Sequence, residues 1–436
     1  MIKIKTNNNH SKEKRYILSV IFSDILGLKI SYETGYESIY EIKLPNNKKI
    51  ILPDIFLSTK SEQKEWKKYD YPKLSFNTSI KIKNNHSLFG MYGNKEYKIS
   101  DESIKINNDI MGTAFIFLSR IEELNSNHDK LNRYQYENSL SHRFDIITRP
   151  VVNEYIDFIK ESIRSLYPEI KFKKHRFNIL LSHDIDTIKK WTFKHLIKHS
   201  LFNFGKSNFF KGYLEFFKTR LNFTNDPYYN FDSIMNLSNN YGLRSTFLFM
   251  ALKKNEFDFR YSLKNAITGF QQIKSSKKHR IGIHLSRIAY NNYDNASREI
   301  KRLKKNTSTD IEYSRQHYLM FDIKSTWSIL NDNNIKYDLS LGYPEMPGFR
   351  CGICYPFRVF DISKKIKLDL IEIPLIIMDV SILDYLKNIN IENHLNTILQ
   401  NTKRYNGTLN VLWHNDQFEN SKFLKNKTLF EKIINA

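Results

Sequence analysis

The chain has 436 residues, 41% hydrophobic and 14% aromatic, which is enough for two or three folded units and too apolar for a disordered chain. A net charge of +22 favours anionic partners, whether acidic glycans, anionic membrane surfaces or nucleic acid, without choosing among them. Two cysteines give no disulfide framework, and no apolar run approaches the length of a membrane span.

The N-terminus is basic and then apolar. Asp24 interrupts the apolar part and no small-residue cleavage site follows. Tyr16–Leu26 therefore reads as an amphipathic helix rather than a signal peptide, and a cytoplasmic protein is expected. Lys29–Tyr32, Ser38–Leu44 and Lys49–Leu52 are short strands, broken by Gly35 and by the turn Pro45-Asn46-Asn47. Asp109 caps a helix over Asp109–Glu123. Pro150 starts another, on which Val152, Tyr155, Ile156, Ile159 and Ile163 form one stripe. Nothing in this part has catalytic spacing. The polar, basic stretch Pro168–Arg176 marks a boundary between a smaller α+β unit, residues 1–170, and a second unit, residues 171–436.

Beyond the boundary strands and helices alternate, the sign of a parallel sheet or barrel. The expected strands are Phe177–Ser182, Ser245–Ala251, Arg280–His284, Asp310–Arg315, Lys336–Leu341, Leu370–Ile377 and Thr408–His414. The fold class is thus α/β, a distorted barrel of about seven parallel strands. The first strand runs into Ser182-His183-Asp184-Ile185-Asp186. Alternation puts Asp184 and Asp186 on one face, where two carboxylates stay ionised only with a cation or strong donors between them. A metal site and a solvated polar strand end are the two readings of that segment alone.

Trp191–Phe231 is an insertion in which Phe209, Phe210, Tyr213, Leu214, Phe216 and Phe217 stand among lysines. Such a pattern can stack on bases or sugars, or lie on a membrane. A helix packed on the barrel is the preferred reading.

Four later segments place polar residues just past a strand, where barrel sites form. His284 follows the apolar run Ile281–Ile283 and precedes a loop. Arg315 and His317 share a face: the Arg would hold a carboxylate base ionised, and the His could ligate a metal. Leu341–Arg358 is an irregular loop punctuated by Gly342, Pro344, Pro347, Gly348 and Gly352. Arg350 and Arg358 there suit an anionic substrate, while Cys351 and Cys354 read as two ordinary loop thiols. His414 ends the last strand and suits a general acid, with Trp413 beside it as a pocket wall.

At these residues the chain resembles the polysaccharide deacetylases of carbohydrate esterase family 4, the NodB homology domain, from about Phe177 to Ala436. The family's T-F-D-D-G motif is matched by Ser182-His183-Asp184-Ile185-Asp186. Its R-x-P-Y resembles Arg315-Gln316-His317-Tyr318, with His317 where the family has Pro, and its L-x-H is matched by Leu412-Trp413-His414. The H-[ST]-x-x-H motif keeps only His284; Ile288 stands where the second His belongs. The resemblance implies Asp184 as base, Arg315 as its holder and His414 as acid. It implies Asp186 and His284 as ligands of a divalent metal, expected to be zinc, with His317 replacing the missing ligand. Arg350, Tyr343 and Trp413 are the expected substrate contacts. The segments HDID, GIH, RQH, LGY…GFR and WHN also resemble a bacterial subgroup with an N-terminal domain of unknown function, similar here to residues 1–160. The implied activity is removal of an N- or O-acetyl group from a sugar of a cell-surface or capsular glycan or its precursor. A glycan binder without turnover is the alternative, followed by a nucleic-acid binder. Carbohydrate is the expected partner, with no specific nucleic acid, no transmembrane segment and peripheral membrane contact left open.

Overall fold

The computed structural model describes residues 1–58, 71–125, 128–206, 209–386, 390–419 and 421–436. Its first eight strands are β1 (Ile2–Thr6), β2 (Ile30–Thr34), β3 (Ile39–Lys43), β4 (Lys49–Pro53), β5 (Phe76–Lys81), β6 (Asn85–Gly90), β7 (Gly93–Ile99) and β8 (Ser103–Asn108). Six of them form one mixed sheet in the order β2-β1-β3-β4-β8-β7, and β5 pairs with β6 as a hairpin. Strand β1 was not foreseen. Its alternation of buried Ile2 and Ile4 with exposed Lys3 and Lys5 is a half-buried strand written in five residues, too short to outweigh the basic composition. The helix expected over Tyr16–Leu26 begins earlier, at Ser11, and runs on as a π-helix over Ser19–Ile25. Most of it is buried: Tyr16, Ile17, Leu18, Val20, Ile21 and Phe22 are all inside. Asp109 caps the helix Ile110–Ser119 by accepting from Gly112 N, and the helix Val151–Leu166 buries all five residues of its expected stripe.

The second sheet contains β9 (Asn178–Ile185), β10 (Ser245–Phe249), β11 (Arg280–Leu285), β12 (Tyr313–Gln316), β13 (Tyr337–Asp338), β14 (Phe357–Asp361), β15 (Ile366–Glu372), β16 (Leu375–Met378) and β17 (Thr408–Leu412). Their order is β14-β15-β13-β12-β11-β10-β9-β17-β16, and every pair but β14 with β15 is parallel. The stretch expected as one strand, Leu370–Ile377, is divided at Ile373–Pro374. Proline has no N–H for a ladder, and the two pieces take different partners, β15 joining β13 and β16 joining β17. One short segment thereby touches both flanks of the sheet and curls it into a barrel-like shape.

The inside of that curl is layered. Leu180, Leu248, Tyr313, Leu339 and Ile373 form an apolar plug. Gly282 carries no side chain because a Cβ there would lie 2.5 Å from Leu248 Cδ2. Above the plug, Arg315 donates from Nη2 to Ser182 Oγ and from Nε to Leu339 O, both at 2.9 Å. The outward-facing His183 bonds Trp413 O and Ser245 Oγ, tying β9 to both neighbours. Burial pushes its pKa down to about 3, so it is a neutral structural group.

The two sheets share one apolar core. Tyr16 and Phe115 pack on Phe360 of β14, with ring centroids 4.8 and 5.6 Å away. Beside them lies a buried ionic cluster. Glu123 accepts from Arg120 Nε at 2.8 Å and from Arg350 Nη2 at 2.8 Å, while Arg120 also pairs with Glu122 at 2.7 Å. Glu123→Gln keeps the shape and removes a charge, leaving two buried guanidiniums to one carboxylate. The expected loss is about 3–5 kcal/mol of stability, read from denaturant unfolding. A change below about 1 kcal/mol would mean that water already screens the cluster.

Candidate metal centre

Parallel registry sets the site. His284 on β11 lies opposite Arg315 on β12, and Leu412 on β17 lies opposite Ser182 on β9. The polar residues that end these strands therefore meet at one end of the barrel. Asp186, His284 and His317 each offer a ligand atom, and the three atoms lie within 4.8 Å of one another. Asp186 Oδ1 is 3.3 Å from His284 Nε2 and 3.7 Å from His317 Nε2. Two donors about 2.1 Å from a tetrahedral ion stand roughly 3.4 Å apart, so the spacing suits one ion. Asp186 Oδ1 is buried with no hydrogen-bond partner.

Both imidazoles are turned the right way. His284 Nδ1 lies 3.1 Å from Arg315 O, and His317 Nδ1 lies 2.7 Å from Asp258 Oδ2. A carbonyl and a carboxylate can only accept, so Nδ1 carries the hydrogen in each ring. Nε2 of each ring is then the atom that faces Asp186, an arrangement typical of metal-ligating histidines, in which a cation displaces any proton held there. Burial opposes a charge on His317, but Asp186 and Asp258 together lift its pKa to about 9. Carboxylates that hold a proton this firmly will also hold a cation. Asp186 is held well below the usual carboxylate range: burial works against ionisation, and the two imidazoles outweigh it.

Asp184 lies next to this cluster. Its Oδ1 accepts from Arg315 Nη1 at 2.7 Å, and its Oδ2 is 3.6 Å from His284 Nε2. Burial would raise its pKa, but Arg315 keeps it low, so it is a carboxylate with one oxygen free of Arg315. His414 Nδ1 bonds Asp379 Oδ1 at 2.8 Å, and its backbone N–H bonds Asp379 Oδ2 at 2.6 Å. Burial alone would lower the pKa of His414; Asp379, with Asp186 and Asp184 behind it, lifts it to about 10. Directly after His317 the chain reverses through Tyr318 (φ 59°) and Leu319 (φ 55°). Left-handed backbone at two such residues costs roughly 1–2 kcal/mol each, a strain of the kind that clusters at functional sites.

Asp184, Asp186, His284, Arg315, His317 and His414 are thus brought together. The expected substrate contacts are not. Arg350 is buried on Glu123 and Gly342 O, because a guanidinium this deep needs a carboxylate more than a solvated ligand. Tyr343 is enclosed by Tyr134, Tyr136 and Ile147. Trp413 is buried against Phe430, ring centroids 4.5 Å apart, and does not wall a cleft. Cys351 and Cys354 are buried free thiols whose pKa values burial pushes up, so they are unreactive. Four participants were missed. Asp379 directly follows the apolar β16, a strand-end position like that of Asp184, and that signal could have found it. Asp258, Arg260 and Arg287 lie on loops without any periodic pattern. Arg260 Nη2 is 3.2 Å from Tyr318 Oη, and the Arg287 guanidinium sits 4.7 Å over the ring of the exposed Phe257.

Residues 2–168 match the model of a family of unknown function, DUF7033. No curated protein matches the sequence. Among solved structures, the chain is similar to a Mycobacterium smegmatis protein assigned as a polysaccharide deacetylase, at 10% identity and TM-score 0.38, over 60% of this chain and 85% of that one. It is also similar to a CE4 family pseudoenzyme from Bacillus anthracis, at 10% identity and TM-score 0.29, over 59% of this chain and 60% of that one. A 4-alpha-glucanotransferase from Thermococcus litoralis matches at 9% identity and TM-score 0.35, over 60% of this chain and 38% of that one. At such identities the chemistry has to be read from the residues themselves.

Proposed function

We propose that the chain is a metal-dependent deacetylase that hydrolyses an acetyl amide or ester on a sugar of a cell-surface or capsular glycan or its precursor. The observation that carries this reading is the trio Asp186, His284 and His317, with the Nε2 atoms of both rings 3.3 and 3.7 Å from one carboxylate oxygen. Two imidazoles and a carboxylate suit zinc and leave a fourth position open. When bound, such an ion supplies Lewis acidity toward the acetyl carbonyl and acidifies water.

The remaining work falls to this chain's side chains. Asp184, ionised by Arg315 and with Oδ2 not engaged by that guanidinium, takes a proton from water. His414, clamped at Nδ1 by Asp379, presents Nε2 as the donor to the leaving nitrogen or oxygen. An amine leaves poorly as an anion, so the proton has to arrive as the C–N bond breaks. Arg260 and Arg287, which stand beside Tyr318, suit a substrate with an acidic group.

The competing reading, a glycan binder without turnover, rests on Ile288 standing where a second ligand belongs in the family motif. Against it we read His317, just past the neighbouring strand, as the replacement for that ligand. The deciding experiment is acetate release from a panel of N-acetylated and O-acetylated sugars, with and without chelator. Release that chelator abolishes and zinc restores is expected. Carbohydrate binding without any acetate release would favour the binder.

A further inference from the structure

The insertion between β9 and β10 does not pack on the barrel as a covered helix. It forms two helices, Phe193–Asn203 and Phe209–Leu221; residues 207–208 lie outside the described residues. The helices meet where Gly212 approaches His199, and Ser200 Oγ lies 2.6 Å from Tyr213 Oη. The first helix buries none of its residues, and the second buries only Gly212, Phe216 and Thr219.

What they expose is ordered. On the second helix Phe210 (82%), Leu214 (57%), Phe217 (59%) and Leu221 (89%) are exposed at spacings of four, three and four, which is one narrow stripe. On the first, Phe193 (65%), Ile197 (62%) and Leu201 (76%) repeat every four residues. Single exposed apolar residues need no explanation, but a continuous patch does. The surrounding charge names the occupant: Lys194, Lys198, Lys206, Lys211, Lys218 and Arg220 stand against one carboxylate, Glu215. Aromatic and aliphatic stripes flanked by lysine are what a helix lying in an anionic lipid interface presents.

The root of the insertion lies beside the metal cluster. It leaves β9 just after Asp186. Asn415, next to His414, donates to Thr187 O at 2.7 Å and to Tyr228 O at 2.8 Å, clamping both ends of the insertion. We propose that these two helices dock on the surface of an anionic bilayer and hold the end of the barrel that carries Asp186 and His414 close to it. A lipid surface rather than a second copy is favoured because a two-fold contact would set the lysines of one copy against those of the other.

The test is co-sedimentation of the full-length protein with vesicles of phosphatidylcholine alone and with about one third phosphatidylglycerol. Binding to the anionic vesicles, weak on the neutral ones and reduced by salt, is expected. Phe210→Glu/Leu214→Glu/Phe217→Glu should lower the bound fraction at least about tenfold. Lys198→Glu/Lys211→Glu/Lys218→Glu, which leaves the apolar stripes intact, should do the same on the anionic vesicles. Bound metal and far-ultraviolet circular dichroism should not change in either variant, which separates this test from that of the metal centre. The proposal is overturned if wild type stays in the supernatant, or if the apolar variant sediments like wild type. It is equally overturned if sedimentation velocity shows a dimer that the apolar variant dissolves while vesicles bind nothing.

Discussion

Replacing His317 with alanine is expected to strip the divalent ion from the purified protein. Elemental analysis should find near-stoichiometric zinc in the wild type and little in the variant, with circular dichroism unchanged. His317 supplies one of three ligand atoms, and its Nδ1 is anchored on Asp258 at 2.7 Å, so its loss removes a preset donor. Without the ion, turnover should fall on the order of 10²–10³-fold at least, the cost of losing one strong electrostatic stabiliser of an oxyanion. No metal in either sample would leave the glycan binder as the better reading. The experiment also settles whether a His two residues after Arg315 can stand in for the missing member of the H-[ST]-x-x-H pair.

Loss of the proton donor should cost about as much without touching the ion. His414→Ala is expected to keep zinc and fold, and to lose roughly 10²–10⁴-fold in turnover on an amide substrate. Esters, whose leaving group is less basic, should suffer less. Asp379→Asn refines the test. The acid form of His414 is present below its pKa and is lost as pH rises through it. Asp379 is the main group lifting that pKa, so its neutral replacement should move the alkaline limb of the rate profile down by about one unit or more. Unchanged turnover in His414→Ala would remove the acid role.

The strand ends of the candidate site were legible because each is an apolar run broken by a polar residue, and parallel strands bring such breaks to one end of a sheet. What stayed hidden was whatever lies far off in sequence or carries no period. Arg350 in a glycine- and proline-rich loop looks the same whether it faces solvent or a carboxylate 227 residues away. Asp258 looks like any loop acid until His317 is placed against it. The helices of the insertion could be read from their spacing, but periodicity reports a face and not its cover. Their aromatic stripes read as core until the fold left them outside.

The shared core has a consequence for synthesis. The helix Ile110–Ser119 is buried on every side, and one of its neighbours is β14, which begins at Phe357. A ribosome adding about 5–20 residues per second would expose that helix roughly ten to fifty seconds before its cover exists. The nascent chain should therefore lean on a holding chaperone through that interval, and a fragment ending near residue 170 should aggregate when translated alone.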